Sequence, residues 1–88
     1  MNSGAATQIA SRKFDARSFA LPAGMQTRLQ TRIHSLGVRL AHSLHFRMQG
    51  ADTFRLRVGD YRIIYQFDIQ RNELYMITLG HRRDIYKA

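Results

Sequence analysis

With 88 residues, 44% of them hydrophobic, and no cysteine, the chain has material for one modest core without disulfides; it reads as a single domain over 1–88 with a flexible polar start at 1–6. No apolar run approaches the roughly 20 residues of a membrane span, and the first residues lack the basic and apolar stretches of a secretory leader, so a cytoplasmic protein is expected. Fourteen Lys and Arg against six Asp and Glu give a net charge of +8, and twelve of the fourteen are Arg, the side chain suited to bidentate contact with phosphate, which points to nucleic acid or an acidic protein as partner and away from an anionic membrane.

In chain order, Thr7–Ala10 suits a short edge strand. Ser11 is a good helix N-cap, and Phe14, Ser18 and Leu21 share one side of the short helix after it. Pro22 suits the first position of a second helix. Along that helix Met25, Leu29, Ile33, Leu36 and Leu40 recur at three- and four-residue steps, with Gln26, Arg28, Gln30, Arg32 and Arg39 on the opposite face. Gly37 either ends it or loosens its last turn. From His45 the period changes to two. Phe46 and Met48 alternate with Arg47 and Gln49, Gly50-Ala51-Asp52 makes a turn, and Phe54–Val58 alternates again. Gly59-Asp60 is a two-residue turn into a strand from Tyr61 to Phe67. Asp68–Glu73 is a polar connection to a last strand, Leu74–Leu79, and Gly80 opens the tail His81-Arg82-Arg83-Asp84-Ile85-Tyr86. Helices first and a strand meander second predict an α+β fold, two N-terminal helices on one face of an antiparallel-rich sheet of about four strands.

The turn at Gly59-Asp60 sets which residues face each other. Val58 is expected opposite Tyr61, Arg57 opposite Arg62, Leu56 opposite Ile63 and Arg55 opposite Ile64. One side of the hairpin, from Phe54 through Leu56, Val58, Tyr61, Ile63 and Tyr65 to Phe67, is therefore core. The other carries Arg55, Arg57, Arg62, Ile64 and Gln66. Strands lie about 4.8 Å apart, and like charges across a pair are destabilising. The repulsion should reach the order of 1 kcal/mol even at the surface. An anion between the guanidiniums would reverse that sign; the plain alternative is side chains splayed into water and screened by salt.

Residues 54–67, FRLRVGDYRIIYQF, followed by residues 79–86, LGHRRDIY, resemble the C-terminal half of RelE-type toxins of the RelE/ParE superfamily. The likeness is dense over 46–87 and looser before it. It implies a compact microbial-ribonuclease-like α+β domain and a toxin of a type II toxin–antitoxin pair that cleaves mRNA, in the RelE-like case on the ribosome. It implies phosphate contacts for Arg55, Arg57 and Arg62, basic residues after the last strand at Arg82 and Arg83, and a terminal Tyr, Tyr86, that takes part in catalysis or packs on a base. His81 stands where many relatives carry Lys or His. Some ribonucleases of this superfamily place a Glu base in the strands; Glu73 is the only Glu of this chain and falls in a distal turn.

RNA supplies its own nucleophile, the 2′-hydroxyl, so the protein must move two protons and stabilise charge growing on the phosphate. Preorganised cations are the dominant expectation there. Arg57 and Arg62 take that role, with Arg55 and Arg82 flanking and Arg83 a further substrate contact; His81 and Tyr86 are the acid–base candidates, Arg82 being a poorer acid because guanidinium scarcely deprotonates. A bland alternative stands beside each: His81 as a polar residue closing a strand, Tyr86 as a ring on the core edge. His34, His42 and His45 have no metal-ligand spacing, so neither a metal nor a cofactor is expected. Tyr65 and Tyr75 are the aromatics considered for base stacking, Tyr65 being better suited to the core. The expected partners are an antitoxin, acidic where it covers this basic chain, then mRNA and the ribosome, with operator DNA reached only through the antitoxin. Two rival readings remain: a ParE-like inhibitor of DNA gyrase that cuts nothing, and a degenerate toxin kept as half of a repressor pair.

Overall fold

A computed structural model describes residues 4–48, 52–81 and 83. The elements run β1 (Thr7–Ala10), α1 (Arg12–Phe19), α2 (Ala23–Val38), β2 (Phe46–Arg47), β3 (Phe54–Val58), β4 (Tyr61–Asp68) and β5 (Glu73–His81). They form one sheet in the order β1-β5-β4-β3-β2. The expected α+β architecture holds, with five strands among the described residues where about four were expected: β1 joins as a full edge strand, parallel to β5, while the other pairings among these strands are antiparallel.

Local chemistry places most boundaries. Ser11 caps α1, its Oγ accepting from the Phe14 N–H at 3.0 Å. Pro22 is the N-cap of α2, one residue before the position expected for it, and carries no side-chain cap bond. The Gln26 amide covers the entry instead, donating to the Leu21 carbonyl at 2.8 Å. Gly37 does not end α2, which runs one residue further. Its lack of a side chain admits Ala6, whose N–H donates to the Gly37 carbonyl at 3.1 Å. A Cβ there would stand 3.3 Å from the Ala6 nitrogen.

The hairpin register is the expected one, residue for residue, from Val58↔Tyr61 to Arg55↔Ile64. Gly59 sits at φ +60 with Asp60 at negative φ, the type II′ arrangement that asks for Gly at its first central position. Both helices cover one face. Phe14, Leu29, Ile33, Leu36 and Leu40 meet Val58, Ile63, Tyr65, Leu74, Met76 and Leu79 in a single buried cluster. Ile64 is buried as well, on the opposite face and outside that cluster, between Arg55 on β3 and Thr78 on β5.

One irregularity matters for the site. Between β4 and β5 the register slips, Ile64 facing Thr78 and Tyr65 facing Met76, so Ile77 is an extra residue on β5. Its carbonyl is taken by the Ser11 hydroxyl. Leu74 and Met76, two apart, and Leu79, three further on, thereby all reach the helix side.

Candidate functional site

The face of the sheet turned away from the helices carries Arg55, Arg57 and Arg62, with Arg57 and Arg62 directly paired. Phe46 pairs with Arg55 and so projects to this same face, where it is 53% exposed. Leu56–Val58 have no strand along their outer edge among the described residues, because β2 pairs only with Phe54 and Arg55. A cavity of about 630 Å³ wraps that free edge, lined from the open face by Arg55, Arg57 and Arg62, from the helix face by Leu56 and Tyr65, and from α2 by Arg32, Leu36 and Arg39.

The two helical arginines were not among the expected site residues. They read as the solvent face of an amphipathic helix. At about 100° per residue, positions 28, 32 and 39 fall within about 40° of one another, so Arg28, Arg32 and Arg39 form one stripe. That stripe runs along β3: the Arg28 guanidinium lies against Gly59, at 3.3 Å from where its Cβ would be, and Arg39 shares the cavity lining with Arg55. Arg39 is steadied by donating to Ser35 Oγ at 3.3 Å. The helical period was a usable signal, but which neighbour the stripe would face was not in it.

Among the described residues, no carboxylate lines this cavity. The ion pair found among the described residues, Arg71 with Asp68 at 4.0 Å, lies at the far end of the sheet. At Arg57 the Nε donates to the Gly59 carbonyl at 3.2 Å, and one Arg62 amine donates to the Tyr61 carbonyl at 3.5 Å. Carbonyl dipoles thus orient both guanidiniums without neutralising them, and among the described residues most of their donors have no protein partner that would compete with an anion.

The other candidates separate. His81 pairs with Tyr61, its ring edge-on to the phenol at 5.7 Å between centroids. Tyr61 packs on the core, so His81 lies on the helix side of the sheet, away from Arg57 and Arg62. This departs from the acid–base role considered for it beside them. Its Nδ1 accepts the Arg83 backbone N–H at 3.2 Å, and Arg83 itself is exposed. Arg82 and Tyr86, the remaining expected site residues, lie outside the described residues.

The aromatics divide in the same way. Tyr65 is core, as its pattern suggested, and burial pushes its hydroxyl up to about 12. Tyr75 faces Gln66 on the open side, where its hydroxyl donates to the Glu73 carboxylate; that bond, ahead of all else, raises its pKa above the ordinary phenol value. Among the described residues no group of three or more His, Cys, Asp or Glu is placed to hold a metal ion. Nor is any helix long and apolar enough to cross a membrane.

Several solved toxins share this fold. The toxin–antitoxin complex RelBE2 from Mycobacterium tuberculosis aligns over 94% of this chain and 98% of its own, at 21% identity and a TM-score of 0.73. The archaeal RelE–RelB complex from Pyrococcus horikoshii aligns over 91% and 98%, at 19% identity and 0.73. The isolated E. coli RelE toxin aligns over 88% and 84%, at 12% identity and 0.71. No curated protein matches the chain. Residues 11–86, nearly the whole length, match the family described as the ParE toxin of the type II toxin–antitoxin system parDE, and the chain therefore belongs to the RelE/ParE superfamily of type II toxins.

Proposed function

We propose that this toxin is a metal-independent endoribonuclease that cuts mRNA held in the ribosome. The observation that carries this reading is the pairing of Arg57 with Arg62 beside Arg55, on a sheet face that, among the described residues, carries neither a covering helix nor a lining carboxylate. Such an arrangement is unfavourable in the free protein and favourable around a phosphate. The 2′-oxygen attacks the adjacent phosphorus as the bond to the 5′-oxygen breaks, leaving a 2′,3′-cyclic phosphate and a free 5′-hydroxyl. Arg57 and Arg62 stabilise the charge that gathers on the non-bridging oxygens, with Arg55 flanking and with Arg82 and Arg83 proposed as further phosphate contacts. Tyr86 is the candidate for proton transfer. The ribosome supplies substrate orientation, which offsets a sparse acid–base set.

An antitoxin completes the proposal. The similar toxins from M. tuberculosis and P. horikoshii are solved in antitoxin complexes, and a net charge of +8 suits an acidic cover. A second reading, inhibition of DNA gyrase without cleavage, is favoured by the family match itself, which is to ParE toxins. Primer extension on RNA after induction, run beside a gyrase supercoiling assay, separates the two. New 5′ ends with supercoiling untouched support the ribonuclease. Lost supercoiling with intact RNA supports the inhibitor, and silence in both leaves a repressor subunit.

A further inference from the structure

We propose that the cavity between α2 and the free edge of β3 is a second RNA subsite, in which Arg32 and Arg39 hold the backbone of single-stranded RNA flanking the cut phosphate and Phe46 stacks on a base. This rests on the ribonuclease reading and extends it from one phosphate to a path. The path begins at Arg57 and Arg62, crosses Arg55 and Phe46 on the open face, and turns around the unpaired edge of β3 onto the arginine stripe of α2.

Three independent features converge on a nucleic-acid strand. Among the described residues, five guanidiniums from two structural layers and no carboxylate line one cavity of about 630 Å³. Arg39 is at the C-cap of α2, where the helix dipole favours a cation whatever the ligand, but Arg32 lies mid-helix with no such compensation and stands four residues from Arg28, a like-charge spacing that costs helix stability. An anion running along the stripe is what relieves it. Phe46, 53% exposed, belongs to a strand of two residues and leaves its ring uncovered beside Arg55. An exposed aromatic next to a basic groove is the element that single-strand binders use for sequence-tolerant stacking. An acidic peptide would satisfy the guanidiniums but gives no reason for a flat ring on the arginine face.

The test uses the full-length toxin and a fluorescein-labelled single-stranded 12-mer RNA made uncleavable by 2′-deoxy substitution. Its affinity is read by anisotropy across a salt series for the parent, Arg32→Ala, Arg39→Ala, Phe46→Ala and Phe46→Trp. Each arginine change should weaken binding several-fold and flatten the log–log salt slope by about 0.7. Phe46→Ala should weaken it roughly tenfold with the slope unchanged, and Phe46→Trp should restore it. Parent-like affinity and slope in both arginine variants would overturn the subsite. So would an oligoglutamate peptide that displaces the RNA and itself loses affinity for the same variants, which would assign the cavity to a protein partner. Failure of the ribonuclease reading looks different: the parent then cuts no RNA, on or off ribosomes, while the variants still lose affinity for the 12-mer.

Discussion

His45 Nδ1 lies 2.7 Å from the Tyr65 hydroxyl while its Nε2 lies 2.8 Å from the Leu40 carbonyl. A carbonyl only accepts, so Nε2 carries the proton, and in the neutral ring Nδ1 accepts from the tyrosine. The imidazole also stacks on Phe67, at 4.1 Å between centroids. His45 thus ties the loop after α2 to the core face of β4. It is a structural residue with both nitrogens satisfied.

The phenol of that pair makes stability pH-dependent at the alkaline end. Tyr65 ionises near 10 when unfolded and near 12 when folded. The unfolded chain therefore loses its proton first, and stability falls as pH rises from about 10 towards 12, by about 1–2 kcal/mol once solvent screening is allowed for. Chemical denaturation across that window checks this: Tyr65→Phe should be less stable at neutral pH but should lack this part of the alkaline decline.

Arg57→Ala and Arg62→Ala should each abolish growth arrest and slow single-turnover cleavage on programmed ribosomes by at least about two decades, the scale for a lost electrostatic donor. Because each removes one of two facing cations, the midpoint of thermal unfolding should hold or rise slightly. Growth arrest like the parent's in both variants would remove the paired arginines from the site.

His81 and Tyr86 should respond in opposite ways. His81→Ala is expected to cut RNA at nearly the parent rate, since its ring stands on the helix side against Tyr61. Tyr86→Phe should slow cleavage by roughly one to three decades if its hydroxyl moves a proton. If Tyr86 only stacks on a base, Tyr86→Phe is silent and Tyr86→Ala is damaging. Single-turnover rates for these three proteins decide the matter, and full activity in Tyr86→Ala would exclude that residue altogether.

Two glycines of α2 should behave differently when given a methyl group. Outside its own helical turn, Gly24 has no described atom within 4 Å of the added Cβ, so Gly24→Ala, in the first turn of α2, should stabilise by about 0.5 kcal/mol through backbone conformational preference alone. At Gly37 the Cβ meets the Ala6 backbone at 3.3 Å, and the crowding should cancel that gain or reverse it. Urea midpoints of the two variants give the comparison directly.

The β3–β4 hairpin, its arginine pair and its apolar side were legible from residues 54–67 alone, because a two-residue turn sets the register and strand side chains alternate with period two. The same holds for the Ser11 cap and the buried stripe of α2, which are local in sequence. What tertiary structure decided is everything that depends on which element lies beside which. The parallel pairing of β1 with β5 joins the two ends of the chain, and the arginine stripe of α2 becomes part of a cavity only because that helix runs along β3. His81 shows the limit most clearly. Counted by twos from Leu74 and Met76, it falls on the arginine face. The extra residue at Ile77 reverses the parity, sending Leu79 and His81 to the helix side. That bulge coincides with a hydrogen bond from Ser11, 66 residues away, and alternation within a strand carries no information about a partner so distant.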